Sequence, residues 1–143
     1  MATITKEIKE LSKITSEEWK EWTMTVWNIA NISDSVHPAV FPVEIPYRLL
    51  RMFSFWGETI LDPFSGTATT GEAALSNGRK YVGFETNSTY YERSTQRLLE
   101  VIQNKNIENA NEAFVIHNHS CLDMASIPDN SIGAVITSPP YWN

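Results

Sequence analysis

From residue 59 onward the chain repeats one alternation, a short β-rich apolar run followed by a longer stretch at helical spacing. "TILDPF", "YVGFET", "AFVIHN" and "GAVITS" read as strands, while "TTGEAALSNG", closed by Gly78, and "STYYERSTQRLLEVIQN" read as helices. Crossovers of that length allow parallel pairing and exclude tight hairpins. The order βαβαβ(α)β therefore predicts the α/β class: about four parallel strands with flanking helices, the beginning of a doubly wound sheet. Right-handed crossovers gather the loops that follow the strands along one edge, where such sheets bind ligands.

The preceding part, residues 1–57, reads as helices and a loop. Thr15 stands three residues before Glu18, the capping-box spacing, and Trp19, Trp22, Val26 and Ile29 follow at helical intervals. This predicts an amphipathic helix over roughly 16–29 whose apolar stripe packs into a core. "ANISDSVHPAVFP" is a polar, proline-bearing loop. Pro42 is a favourable first helical residue, and Ile45, Leu49, Leu50 and Phe53 form a second stripe that stops near Gly57.

The 143 residues, 42% hydrophobic and 20% charged, supply one core and show no composition shift that would divide them. A formal net charge of -6 argues against a chain that clamps nucleic acid by itself, because phosphate contacts need a basic surface. "MATITKEIKELSKI" contains no long uncharged block, so neither a signal peptide nor a membrane span is expected. The single cysteine, Cys121, excludes an internal disulfide and points to the cytoplasm. Cys121 reads as a small packing residue, since sequence alone does not place His117 or His119 beside it.

The loops after the strands carry the informative residues. Asp62 ends the first strand, and Ser65, Gly66, Thr67 and Ala68 form a small-residue turn before a helix that starts at Thr69 and Thr70. Such a turn lets a ligand approach the backbone and offers it unpaired N–H groups, or it is an ordinary strand-to-helix turn. The G-x-G-x-x-G dinucleotide fingerprint is absent. Glu85 lies nineteen positions after Gly66 at the tip of the second strand, where nucleotide-binding sheets hold ribose hydroxyls; the alternative is a solvated carboxylate. Asp123 could reach an adenine edge, or it could simply form a turn.

"SPPY", Ser138 to Tyr141, follows the fourth strand. Two prolines fix the backbone and remove N–H donors, leaving the Pro139 carbonyl and Ser138 hydroxyl as rigid acceptors and the Tyr141 ring as a stacking surface. Elsewhere a proline pair is commonly just a rigid turn.

Together, "HPAVFP", "LDPFSGTATTGEAA", "YVGFETNSTYYERSTQRL" and "VITSPPYWN" resemble the amino-methylating DNA methyltransferases that use S-adenosylmethionine, of the N4-cytosine or N6-adenine type. The resemblance covers about residues 17–143, in the family's motif order. It implies a partial Rossmann-like methyltransferase sheet that lacks the later strands. It implies that residues 1–57 hold N-terminal helices and a loop, with His37, Pro38, Phe41 and Pro42 closing over the cofactor. Residues 58–143 would form the cofactor-binding α/β region. Asp62, Phe64, Gly66, Thr69 and Thr70 would surround the methionine part, Glu85 would hold the ribose, and Leu122 with Asp123 would meet the adenine. Ser138, Pro139, Pro140 and Tyr141 would orient the target amine, with no metal and no covalent intermediate. The serine-first loop is more similar to N4-cytosine than to N6-adenine enzymes.

Two departures shape the remaining expectations. Ala68 replaces a glycine common in the family's turn, which would crowd the cofactor or stiffen the loop. The family's later strands and DNA-recognition segment are missing, so "GAVITS" would become an open sheet edge with Ala134, Val135 and Ile136 uncovered. A second polypeptide, or the missing C-terminal part, would then supply those strands and the contact with DNA, and the chain alone would be inactive and prone to self-association. The alternatives are an inactive cofactor-binding or regulatory protein of the same fold, and a nucleotide-binding oxidoreductase, which the missing glycine fingerprint disfavours.

Overall fold

The computed structural model describes residues 3–30 and 42–140. Helices α1 (Lys6–Leu11), α2 (Ser16–Trp22) and α3 (Glu44–Phe53) precede strand β1 (Thr59–Asp62). Then come α4 (Thr69–Ser76), β2 (Lys80–Phe84), α5 (Ser88–Lys105), the single turn α6 (Ala110–Ala113), β3 (Phe114–His117) and β4 (Ile132–Val135). All four strands are parallel, in the order β3-β2-β1-β4. The predicted α/β sheet is present, except that the crossover over residues 118–131 contains turns and no helix.

One face of this sheet carries the core. Register aligns Ile60 with Tyr81 and Ala134, and Tyr81 with Phe114. On this face Ile60 and Tyr81 are fully buried, together with Ala74 of α4, Leu98 of α5 and Leu50 of α3. Gly71 makes this possible: a Cβ there would stand 2.9 Å from the Tyr81 ring and 3.0 Å from Leu98 Cδ1. Bare backbone at that position lets α4 lie directly on β2. Helix α5 begins where the Asn87 side chain accepts the Tyr90 N–H and ends at Asn106 in a left-handed conformation.

The N-terminal part departs from the sequence expectation in three ways. Helix α1, capped by Thr5, is an additional element with no buried residue. Helix α2 has the expected capping box but stops at Trp22 rather than near residue 29. The Thr23 hydroxyl bonds back to the Trp19 carbonyl and the Trp27 indole donates to the Trp22 carbonyl at 3.0 Å, so side chains take the place of the next helical turn. Of the expected stripe only Trp22 is buried, while Trp19 and Val26 are exposed. In the second helix, Pro42 lies before the Val43 cap, and Pro46 is the proline of the first turn. Its missing N–H costs nothing there, because first-turn amides have no helical partner.

Strand β4 pairs with β1 and with no other described strand. Val135 is 58% exposed, in keeping with the open edge expected from sequence. Ile136, however, is buried, and its N–H donates to the Leu61 carbonyl at 3.0 Å. Ala134, half-buried, packs against the same helix-covered core, so neither it nor Ile136 belongs to the uncovered surface.

Candidate functional site

The carboxyl ends of the strands carry a set of loops joined by hydrogen bonds. After β1 the chain makes the expected small-residue turn, with Gly66 at φ 53 and Ala68 at φ 59, ψ 42. Both residues occupy left-handed space, which glycine enters freely and alanine only with strain. Ala68 is fully buried, and its methyl belongs to the core cluster. The turn is fixed further by the Ser65 N–H to the Phe84 carbonyl at 2.9 Å and by a buried pair of hydroxyls, Ser65 and Tyr81, at 2.8 Å. Arg97 of α5 donates to the Thr67 carbonyl at 3.1 Å and forms an ion pair with Glu72.

Glu85 joins this turn to the second loop. Its Oε2 accepts the Gly66 N–H at 2.9 Å and its Oε1 accepts the Asn87 N–H at 2.8 Å. The sequence pairing of Gly66 with an acid at the tip of β2 is thus a direct contact. The Glu85 N–H donates to the His117 carbonyl at 3.0 Å, and the Asn118 side chain donates to the Glu85 carbonyl at 2.8 Å. Three successive loops are therefore held in one register.

Asp62 is 1% exposed, and burial raises its carboxyl above the ordinary value. Hydrogen bonds from the Thr137 hydroxyl, at 2.6 Å, and the Phe64 N–H, at 3.1 Å, oppose that rise, while the nearby charge of Glu85 adds to it. The Thr70 hydroxyl faces the same carboxylate but, fully buried, completes no hydrogen bond among the described residues. A buried, poorly paired hydroxyl at the Asp62 carboxylate, with the Glu85 charge near Asp62, suits a ligand that brings positive charge and polar groups.

The remaining candidates are placed less closely. Leu122 is 95% exposed, and the Asp123 carboxylate accepts the Ala125 N–H at 3.1 Å, so Asp123 forms a turn. Phe64 is partly exposed beside the turn, and Thr69 is buried at the start of α4. Ser138 is half-buried, and Pro139 and Pro140 are exposed, beyond β4. His37, Pro38, Phe41 and Tyr141 lie outside the described residues, and Pro42 sits at the entry to α3. His117 stacks on Phe84 with ring centroids 4.8 Å apart and packs against His119 at 5.3 Å. Burial, then the His119 charge, lowers the His117 pKa. Cys121 is a free, partly exposed thiol, and no described group of acids, histidines and cysteine is arranged to hold a metal ion.

Four contributors escaped the sequence reading: Tyr81, Arg97, Asn118 and Thr137. Tyr81 left a usable signal, because a tyrosine inside a buried strand needs a partner for its hydroxyl. Arg97 and Asn118 act through pairings that only the fold creates.

A parallel sheet of order 3-2-1-4, with a left-handed small-residue turn bonded to an acid at the tip of its second strand, defines a Rossmann-like nucleotide-cofactor domain. The family model for N6/N4 methyltransferases, described as DNA methylase, matches residues 2–96, and the chain belongs to that DNA methylase family. It is 42% identical over 84 residues to the type II methyltransferase M.MjaI of Methanocaldococcus jannaschii, covering 54% of this chain and 27% of that protein. It is 33% identical over 116 residues to the type II methyltransferase M.BglI of Bacillus subtilis, covering 78% of this chain and 32% of that one. Among solved structures, it resembles a protein of Thermus thermophilus assigned as a DNA modification methylase and crystallised with S-adenosyl-L-methionine. There the TM-score is 0.61 and the identity 30%, with 82% of this chain and 43% of that chain covered. The matched stretch thus spans about a third of the length of the two curated relatives.

Proposed function

We propose that this chain is the S-adenosylmethionine-binding and catalytic-loop part of a site-specific DNA amino-methyltransferase. The observation that carries the reading is the Gly66–Glu85 bond at the sheet's carboxyl edge, near the buried Asp62 carboxylate that the Thr70 hydroxyl faces. The residues suit the cofactor. Glu85 has acceptors at the position for ribose hydroxyls, and Asp62 with Glu85 supplies the negative field that a sulfonium and an amino group require. Phe64, Gly66, Thr69 and Thr70 line the methionine side, Leu122 and Asp123 approach the adenine, and His37, Pro38, Phe41 and Pro42 belong to the same cofactor site. When bound, the cofactor supplies an electrophilic methyl group.

The chain's own residues orient the nucleophile. The Ser138 hydroxyl and Pro139 carbonyl accept hydrogen bonds from the exocyclic amine of a base turned out of the duplex. Pro140 fixes the loop and Tyr141 stacks on the ring. Alignment of the amine's lone pair supplies much of the rate. The serine at the head of the loop favours cytosine N4 over adenine N6.

DNA recognition and the strands beyond β4 come from further polypeptide. Val115 and Val135, 47% and 58% exposed, lie on the face opposite the helices, and the outer side of β4 has no described partner. An enzyme that acts in the cytoplasm agrees with the lone free cysteine and with the absence, among the described residues, of a helix long and apolar enough to cross a membrane. Calorimetric titration of the chain with S-adenosylmethionine, with NAD as control, tests the cofactor assignment: binding of the first alone is expected, and binding of NAD alone would overturn it. Methyl transfer to duplex DNA by the assembled enzyme separates this reading from an inactive regulatory protein of the same fold.

A further inference from the structure

We infer that Thr137 is a positioning residue for methyl transfer: its hydroxyl, bonded to Asp62, fixes where the Ser138-Pro139-Pro140 loop stands relative to the cofactor turn. The inference rests on the function proposed above and adds a residue to it. Thr137 Oγ1 donates to Asp62 Oδ1 at 2.6 Å across 75 positions of sequence. The two residues extend β4 and end β1, neighbouring strands between which the order of the sheet reverses. The crevice between such strand ends is the ligand position in open α/β sheets, and this bond crosses its floor.

Thr137 is also the last tethered residue before the loop. The Ile136 N–H to the Leu61 carbonyl is the final backbone bond between the two strands, and Ser138, Pro139 and Pro140 make no hydrogen bond to other described residues. At the other end of the bond, Asp62 Oδ1 also accepts the Phe64 N–H, which starts the turn that carries Gly66. One carboxylate oxygen therefore holds both the root of the amine-orienting loop and the entry to the cofactor turn. Donor and acceptor must meet within a few tenths of an ångström of the productive geometry, so loss of this tie acts on transfer more than on binding.

The tie has a proton-linked signature. The Asp62 carboxyl is already raised by burial, with Glu85 after β2 adding like charge and Tyr81 of β2 close by; the Thr137 hydroxyl opposes the rise. Its removal makes Asp62 easier to protonate, and a protonated Asp62 loses the charge-assisted bond.

Thr137→Val keeps the shape and removes the hydroxyl, and Thr137→Ser restores it. In the assembled enzyme, the valine variant is expected to lower kcat roughly tenfold or more while the cofactor Kd changes less than about threefold. The acid limb of its pH profile should move to higher pH, and the serine variant should recover both properties. In the chain itself, a carbon-13 NMR titration should show the Asp62 carboxyl midpoint higher in the valine variant, together with faster amide exchange at Ser138. Unchanged kcat and pH profile, or unchanged Asp62 titration and Ser138 exchange, would overturn the inference. Absence of methyl transfer by the wild-type assembly would instead sink the proposed function, and the NMR measurements would still decide the tie. Should Thr137→Val fail to fold, Thr137→Cys, with its weak donor, gives the same comparison.

Discussion

Gly71→Ala probes whether the spacing between α4 and β2 sets the shape of the Gly66 turn, the proposed cofactor turn. The added Cβ would lie 2.9 Å from two Tyr81 ring carbons and 3.0 Å from Leu98 Cδ1, inside normal contact on two sides. Tyr81 is fully buried and its hydroxyl is bonded to Ser65 at 2.8 Å, so the ring has no free direction in which to yield. Overpacking of a tight core costs about 1–3 kcal/mol. Alanine's better helix propensity returns at most about 1 kcal/mol. If the ring moves, the hydroxyl pair with Ser65 is lost, adding about 1 kcal/mol. The net expectation is a loss of about 1–3 kcal/mol, or a fall in Tm of roughly 4–10 °C for a domain of this size. Urea and thermal unfolding measure that loss, and titration with S-adenosylmethionine reads the displaced turn as weaker binding. Tyr81→Phe, which removes the hydroxyl without crowding the ring, should cost less. A Gly71→Ala chain as stable as wild type, with the same affinity, would show that the missing Cβ does not set the helix-to-strand spacing.

Glu85→Ala removes the acceptor of the Gly66 and Asn87 N–H groups, and calorimetry should find cofactor affinity lowered roughly 10–100-fold; equal affinity would contradict the ribose assignment. Pro139→Ala in the assembled enzyme should abolish most methyl transfer while the cofactor Kd stays within about threefold, as single-turnover and binding assays together would show. Ala68→Gly relieves a left-handed alanine, worth about 1–2 kcal/mol, but loses a buried methyl and frees the unfolded chain. Denaturant unfolding should therefore place it within about 1 kcal/mol of wild type. Its cofactor affinity should also be unchanged, because the methyl packs in the core.

What the sequence revealed follows from where the physics is local. Strands β1 to β4, helices α4 and α5 and the capping box at Thr15 are written in patterns that span a few residues, and these were legible, whereas the single turn α6 was not. The place of Glu85 at the tip of β2 was legible too, because a parallel crossover returns the chain to the adjacent strand end after a fixed length, but its direct bond to Gly66 was not. The extent of α2 was not: Trp19, Val26 and Ile29 have helical spacing, yet the competing Thr23 and Trp27 side-chain bonds end the helix at Trp22. Likewise Ala134, Val135 and Ile136 were all expected to be uncovered; Val135 is exposed, but the alternation of the strand turns Ala134 and Ile136 to the core. Thr137 and Asn118 gave no sequence signal, since a hydroxyl or amide acquires a role only when the sheet brings a distant acceptor beside it.

The site's two halves differ in how they are held. On the cofactor side, the ends of β1, β2 and β3 are joined through Gly66, Glu85, His117 and Asn118, all within the described chain. On the side proposed to be catalytic, the Ser138 loop hangs from β4, which is bonded to β1 and to no other described strand and is anchored at its tip by Thr137 and Ile136. A strand with one free side bends and frays more readily than one paired on both. Cofactor affinity should therefore be largely a property of this chain, whereas the placement of Ser138 and Pro139 also depends on what pairs with the open side of β4. Covering that side is expected to leave the Gly66 turn unchanged and stiffen the loop, so a strand added there should act on kcat more than on cofactor Kd.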